Sequence, residues 1–521
     1  MNKSLGNIAN ERYEDTRLNV VVIVGHPRKD SLCGGLAAAF IDGASNAGIS
    51  VRELHLADLD FDLTVRSISP AEQPDEPDLI FARELIRWAD HLVFVYPNWW
   101  GTMPALMKGF FDRMMIPGFA FADKPEGGWE KLLKGKTAQL ITTMDMPWWV
   151  YRLFFRQPGN NAMKRSTLGF SGIRTTRILN LGPVKDSSKE QRDAWLNRAR
   201  FEGLRMKGGV LSSWQRTGDK LVAWIRALRL QFYPLTWVVY TIGALAANSG
   251  GQEMAIWEYW LGYAVLFFLE VATVLSNEVF DYDTDRRNTH YGPFNGGSRV
   301  LVDKLLSLHE VRWGIGVAST LALGLAGALM SLSTYVTGAS IAVLAAMFVI
   351  APGYTVPPLK FVYRGLGELD VGVTHSFGVL LCGYIFQGGS WTNGFPWIVS
   401  VPLFFSILPA IILSSIPDYD ADLAASKKTL AVVFGPKFAI GFAMFFTFLA
   451  SAVAMVLQLE SGVYTVFGNW VNLAVIHGML LIAVLYEYMR CYQQPTRIDG
   501  LMVASLSYTV WFGVMPLVNL S

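Results

Sequence analysis

Charge is scarce in this 521-residue chain: Asp, Glu, Lys and Arg together make up only 17%, while hydrophobic residues make up 52%. Ordinary soluble domains carry roughly a quarter charged residues, so a wholly soluble protein and a disordered one are both excluded. Cysteine is scarcer still. Cys33, Cys382 and Cys491 lie far apart with no CxxC or CxxH spacing, which removes a disulfide framework and a zinc site and suits a reducing compartment. Neither GxGxxG nor a Walker A loop occurs, so the usual dinucleotide and P-loop signatures are absent. The first residues, Met1 to Glu11, are polar and lack the apolar core of a signal peptide, which leaves residues 1–230 expected in the cytosol.

What is present divides into two unlike halves. Residues 1–230 hold 32 Lys and Arg against 25 Asp and Glu, whereas 231–521 hold 12 against 17. Eight of the basic residues fall between Arg198 and Arg229, beside the first apolar span. That position indicates a cationic collar on the cytoplasmic membrane face rather than a nucleic-acid surface. The organisation expected is a tail at 1–17, a soluble domain at 18–206, a basic juxtamembrane linker at 207–229 and a membrane domain at 230–521.

From Phe232 onward, nine apolar stretches are long enough to be read as helices crossing a hydrocarbon core of about 30 Å. They lie near 232–249, 258–280, 311–331, 335–353, 366–388, 396–416, 430–456, 464–486 and 499–519. With a cytoplasmic N-terminus, the loops after even-numbered spans would carry all twelve Lys and Arg of this half, as the positive-inside rule requires. Nine spans would then place the C-terminus on the opposite side of a cell inner membrane.

Two of those loops are chemically unusual. One contains Asn277, Asp281 and Asp285, the other Asp418 and Asp422, each residue four after the last. On a helix this spacing stacks the side chains on one face, with Asp283 and Asp420 turned away. Carboxylates stacked at a membrane boundary need protons or a cation. Magnesium, a hard ion that favours carboxylate oxygens and is commonly shared with substrate phosphates, fits the set Asn277, Asp281, Asp285, Asp418 and Asp422. Arg299, Lys360, Arg364, Lys427 and Lys428 are placed to neutralise a departing diphosphate. Gly292, Pro293, Gly296 and Gly297 would let the loop before Arg299 fold over a ligand.

On these motifs the second half resembles the UbiA superfamily of intramembrane prenyltransferases, over about 290 residues. The resemblance implies that the first motif (Asn277, Asp281, Asp285) and the second (Asp418, Asp422) bracket a magnesium-bound prenyl diphosphate, with Tyr354 and Lys360 on a further matching stretch. Glu278 stands where many members have Asp. Tyr291-Gly-Pro-Phe-Asn-Gly-Gly-Ser-Arg299, Tyr363-Arg-Gly-Leu-Gly-Glu368 and Asp418-x-Asp-x-Asp-x-x-x-x-Lys-Lys-Thr-Leu430 look most similar to the 1,4-dihydroxy-2-naphthoate prenyltransferase branch. The implied reaction is transfer of a prenyl group to an electron-rich aromatic ring of a quinol.

In the first half, residues 18–25 form an apolar run of buried-strand type, followed by a loop and a helical segment at 32–47. Further strands are expected at 49–56, 91–96, 136–142 and 174–181, and helices at 76–89, 104–115 and 187–206. The alternation predicts an α/β doubly wound parallel sheet with ligand loops at the carboxyl ends of its strands. Trp99 and Trp100, on a strand-to-helix loop, would offer a flat apolar wall to a planar heteroaromatic ring.

Through Pro97-Asn98-Trp99-Trp100-Gly-Thr-Met-Pro-Ala-Leu-Met-Lys-Gly109, residues 18–206 resemble the flavodoxin-like NAD(P)H:quinone oxidoreductases. The resemblance implies a flavin, FAD rather than FMN, with NAD(P)H as the reductant. His26, Ser31 and Leu32 would lie on the phosphate loop, and Pro97, Asn98, Trp99 and Trp100 on the isoalloxazine loop. Thr142 and Thr143 would lie on a third, which continues Met144-Asp145 where the family has two glycines. No histidine lies between His91 and His290, so Tyr151 is at most half of the tyrosine–histidine pair of some members.

The reading expected is a fused prenyltransferase and quinone reductase whose partners are the bilayer, a prenyl diphosphate and a quinone or hydroquinone acceptor. Oligomeric state stays open. The alternatives are a non-quinone prenyl acceptor, and a transporter or channel under a flavodoxin-like redox regulator.

Overall fold

The computed structural model describes residues 18–124, 128–248, 253–459 and 464–520. The chain divides into two compact units at Arg216/Thr217, inside the stretch expected as a linker. A helix at Ser213–Leu228 occupies much of that stretch.

The first unit is built from β1 (Asn19–Val24), α1 (Leu32–Asn46), β2 (Ser50–His55), α2 (Pro77–Trp88), β3 (His91–Pro97) and α3 (Ala105–Met114). There follow a small hairpin of β4 (Phe121–Asp123) and β5 (Trp129–Lys131), then β6 (Thr137–Thr143), α4 (Trp148–Leu153), β7 (Arg174–Leu181) and α5 (Lys189–Leu204). Five parallel strands run in the order β2-β1-β3-β6-β7, the doubly wound arrangement that the alternation predicts. Alternate residues of β1 serve opposite faces. Val20, Val22 and Val24 pack with Leu36 and Phe40 of α1, while Val21 and Ile23 pack with Leu85 of α2 and Phe110 of α3. Burial on both faces explains why this strand reads as an unbroken apolar run. The order reverses at β1, so the crevice for a ligand opens beyond the ends of β1 and β3.

One buried ion pair fastens the loop before α2. Arg113, 1% exposed, donates to both carboxylate oxygens of Glu76 at 3.0 and 2.7 Å and to the carbonyls of Asp62 and Pro74. Arg83 grips Asp75 in the same way.

The second unit is helical: α6 (Tyr233–Asn248), α7 (Ile256–Phe280), α8 (Tyr282–Arg287), α9 (Leu308–Leu332), α10 (Gly338–Gly353), α11 (Gly367–Val373), α12 (Val379–Ile385), α13 (Gly394–Ser414), α14 (Tyr419–Ala424), α15 (Pro436–Leu459), α16 (Val471–Cys491) and α17 (Asp499–Leu520). Among the described residues a helix lies within each of the nine predicted spans, yet the count of nine crossings is not reached. Six helices are long and apolar enough to cross a membrane, or up to seven if α6 is counted with the helix before it. α6 and α10 have 16 residues each, about 24 Å at ~1.5 Å per residue, which is short of a ~30 Å core. The span expected at 366–388 is one continuous helical stretch from Gly367 to Ile385, with a π-helical turn at Thr374–Gly378 between α11 and α12.

Arg113→Met should destabilise the first unit by about 1–3 kcal/mol, because it removes the donor to a partly exposed carboxylate and to two carbonyls. The Arg113 and Arg83 guanidiniums hold Glu76 and Asp75 below the usual carboxylate range, although burial of Glu76 opposes this. Depressed folded-state values mean that this stability is present above the unfolded values near pH 4 and is lost as pH falls through the folded ones. Urea unfolding of wild type and variant between about pH 3 and 7 should therefore show the difference shrinking toward the acid end.

Candidate functional sites

In the helical unit, the first motif occupies the end of α7 and the start of α8. The amide of Asp281 bonds the carbonyl of Asn277 at 2.8 Å, and that of Asp285 the carbonyl of Asp281 at 2.9 Å. The chain thus stays helical enough to keep the three side chains on one face. The second motif does the same around α14, where the Asp422 amide bonds the Asp418 carbonyl at 2.8 Å. Asp283 and Asp420, between the spaced acids, are exposed.

The fold brings the two motifs together on Lys427. Its buried ammonium lies 3.0 Å from Asp281 and 3.6 Å from Asp422. Burial alone would weaken its hold on a proton, but Asp281 and Asp422 outweigh that and keep it charged. Burial, reinforced by Asp281 and Glu278, pushes Asp285 well above the usual carboxylate range. Burial likewise pushes Asp422 up to about 7.

The loop at 288–299 folds over these acids as its glycines suggest. Asp418 accepts from Asn288 Nδ2 at 2.6 Å, Asn295 Nδ2 at 2.9 Å and the Gly296 amide at 3.1 Å. Glu278 accepts from the Ser298 amide at 3.1 Å. Gly297, at φ 68°, sits so close to Asp285 that a Cβ there would lie 1.9 Å from Oδ2. Sequence reasoning did not single out Asn288 or Asn295. Their place in the Tyr291-Gly-Pro-Phe-Asn-Gly-Gly region was the available signal, but nothing local says that their partner lies more than 120 residues away.

The other predicted cations are placed differently. Arg299 holds the loop itself, donating to the carbonyls of Asp285 at 2.5 Å and Asn288 at 3.4 Å and lying 4.1 Å from the centre of the Tyr291 ring. Lys360 lies over the Tyr363 ring, and exposed Arg364 donates to the Pro358 carbonyl at 2.8 Å. Lys428 is exposed, while its amide bonds the carbonyl of Val362. The carbonyl of Tyr354 accepts from the Val362 amide, closing the same loop.

Among the described residues, no three His, Cys, Asp or Glu side chains converge on one metal position. The donors nonetheless fit a hard divalent cation. All are carboxylate or amide oxygens, and the buried Asn277 Oδ1 has no hydrogen-bond partner.

In the first unit, three loops meet at the ends of β1, β3 and β6. His26 packs edge-on against Trp99 with ring centres 5.7 Å apart, and the Asn98 amide bonds the Thr143 carbonyl at 2.7 Å, immediately after Pro97. Partial burial lowers His26, whose Nδ1 accepts from the Arg28 amide. Ser31 caps α1, which begins at Leu32, by accepting from the Gly34 amide at 3.2 Å. Thr142 donates to Asn180 at 2.6 Å, and Thr143 contacts the Cys33 thiol at 3.4 Å. Asn180 is a third residue that the sequence reading missed.

Trp99 and Thr102 exchange backbone bonds at 2.8 and 3.0 Å across a two-residue turn. That turn needs positive φ at both central positions. Gly101 takes φ 81° freely, but Trp100 is held at φ 53° with its ring entirely exposed. Tyr151 is no half of a catalytic pair here. Its buried hydroxyl donates to the Gly101 carbonyl at 3.1 Å and accepts from the amides of Gly159 and Asn160.

A flavin passes the corresponding test. The buried Tyr96 hydroxyl lacks a hydrogen-bond partner, and the Asn98 amide, buried beside the Tyr151 hydroxyl, has hydrogen-bonding capacity to spare. Such groups beside an exposed tryptophan wall suit a planar ring with polar edges.

Two outcomes follow. Gly297→Ala should displace the loop from Asp285 and speed amide hydrogen exchange across residues 288–299 by about tenfold, with the helical circular dichroism unchanged. Trp100→Gly should relieve the left-handed strain and raise the unfolding free energy of the first unit by about 1–2 kcal/mol. The same change should weaken flavin retention measured by fluorescence after gel filtration.

Comparison with known proteins agrees with this geometry. Residues 18–201 match the flavodoxin-like fold, and residues 236–502 match the UbiA prenyltransferase family. Over 242 residues the chain is 28% identical to the lycopene elongase/hydratase of Corynebacterium glutamicum, covering 45% of this chain and 78% of that protein. Over 144 residues it is 28% identical to the human ribosyldihydronicotinamide dehydrogenase [quinone], covering 24% of this chain and 62% of that protein. The chain spans less than two thirds of the length of this reductase relative. A solved UbiA homolog from Aeropyrum pernix K1 is 19% identical, with 55% of this chain and 98% of that one covered at a TM-score of 0.43. The second unit, with its paired acidic motifs on α7–α8 and α14, makes the chain a membrane protein of the UbiA prenyltransferase family, which carries a flavodoxin-like domain ahead of it.

Proposed function

We propose that the helical unit transfers a prenyl group from a prenyl diphosphate to a naphthoquinol or related hydroquinone, and that the flavodoxin-like unit uses NAD(P)H to reduce the quinone ring. The observation that carries the first part is the convergence of Asp281 and Asp422 on Lys427 beneath the 288–299 loop. Magnesium held by Asn277, Asp281, Asp285, Asp418 and Asp422 would supply positive charge against the diphosphate oxygens. Lys427 adds a fixed cation beside the same oxygens. The covering loop, pinned by Asp418 and Glu278, restricts water at the reacting end, where an allylic cation would otherwise be hydrolysed. Apolar walls of the bundle receive the prenyl tail.

For the second part, Asn98 and the wall formed by Trp99 and Trp100 would orient a flavin, which when bound would supply two-electron transfer from nicotinamide to quinone. The chemistry gives the fusion a rationale. A quinone ring is electron-poor and a weak nucleophile, whereas the hydroquinone is electron-rich. A reductase on the same chain raises the local concentration of the form that can be prenylated. The likeness to a lycopene elongase/hydratase supports one second reading, in which the acceptor is an isoprenoid polyene and the reductase serves another step.

The test is a product assay in detergent with magnesium, geranylgeranyl diphosphate and a side-chain-free naphthoquinone, with and without NADPH. Mass spectrometry should find prenylated product only when NADPH is present. Asp281→Ala should reduce it by at least about 100-fold while NADPH-dependent quinone reduction continues. Product from chemically reduced acceptor, with none from the quinone plus NADPH, would remove the coupling. Product from lycopene but from no quinol would establish the second reading.

A further inference from the structure

The flavodoxin-like unit displays an apolar surface that its own core does not cover. α4 and the residues after it, Trp148-Trp149-Val-Tyr-Arg-Leu-Phe-Phe155, expose Leu153 (68%), Phe154 (74%) and Phe155 (57%), with Trp148 and Trp149 about half exposed. Tyr151 is the exception, turned inward to hold Gly101 and Gly159. That bond places the segment directly against the turn carrying Trp100, so the exposed aromatics form a rim around the flavin loop.

The charge carried by this segment has one sign. Exposed Arg152 and Arg156 flank the aromatics, exposed Lys164 and Arg165 follow, and no Asp or Glu occurs between Asp145 and Asp186. Tryptophan and phenylalanine flanked by arginine and lysine match the interface of an anionic bilayer, where the rings enter the headgroup region and the cations meet lipid phosphates. An aqueous surface gains nothing from exposing five such apolar side chains in eight residues. A bilayer is moreover never far from this unit, because its own chain continues into membrane helices.

We infer that this rim docks the flavodoxin-like unit onto an anionic membrane surface, so that its flavin loop takes quinones from the lipid phase rather than from water. The functional consequence rests on the reductase reading above, but the docking does not, and the two are tested apart.

The experiment places the full chain, one copy per disc, in nanodiscs of zwitterionic lipid with and without phosphatidylglycerol, and follows amide hydrogen exchange of residues 147–156. Exchange should slow by about tenfold in the anionic discs, and the effect should vanish at high salt and in the Arg152→Glu/Arg156→Glu variant. Equal exchange in both lipids overturns the docking. So does protection that appears only with two copies per disc, which would assign the rim to a second copy of the chain.

For the consequence, Phe154→Ser/Phe155→Ser should raise KM about tenfold for a long-tailed quinone in anionic vesicles and leave that for a short-chain soluble quinone unchanged. Equal change for both overturns the lipid route. Absence of quinone reduction in wild type would overturn the reductase reading while leaving the exchange result intact.

Discussion

The site of the helical unit depends on a charge balance that the membrane boundary makes strict. Glu278, Asp281, Asp285 and Asp422 are gathered where water is scarce, and five carboxylates including Asp418 cannot be held there without compensating donors or cations. Lys427 supplies the cation, the asparagines and the Gly296 amide satisfy Asp418, and the Ser298 amide satisfies Glu278. The covering loop is therefore ordered by the same carboxylates that line the site. Gly297 is the smallest residue at the closest approach, with its backbone at Asp285 and its φ in the left-handed region.

The first unit solves a different problem. Its sheet is buried on both faces and needs no partner, so its irregular features collect where the strands end. The left-handed Trp100, the partly satisfied Asn98 side chain and the inward Tyr151 all lie there, consistent with the tendency of strain and unsatisfied groups to gather at binding loops. Tyr151 also shows how a residue that looks chemical in the sequence can be structural. One hydroxyl with three backbone partners is fully occupied.

Much of both units was legible beforehand because the governing forces are local and periodic. The continuous apolar run at β1 indicated a strand buried in the sheet, and all five parallel strands and their helices lie within two residues of the predicted positions. Apolar length was a poorer guide for α6, α10 and the stretch at 366–388. Hydropathy cannot distinguish a helix that crosses from one that is short, or that carries a π turn, inside a bundle. The hairpin of β4 and β5 was also missed, since its three-residue strands carry too few side chains for an alternating pattern.

The sequence by itself determined that two unlike domains are joined, that one is a membrane bundle, and that acids four apart share a helix face, because these follow from composition and from spacing along one element. Only the tertiary structure decided which cation meets those acids. Lys360, Arg364, Lys427, Lys428 and Arg299 are equivalent as positive-inside charges, yet Lys427 is the one placed between the two motifs, Arg299 holds backbone carbonyls, and Arg364 and Lys428 remain at the surface. That choice depends on how α7, α13 and their loops pack across more than 120 residues of chain, and coordination and ion pairing act through distance in space, which no spacing along the sequence records.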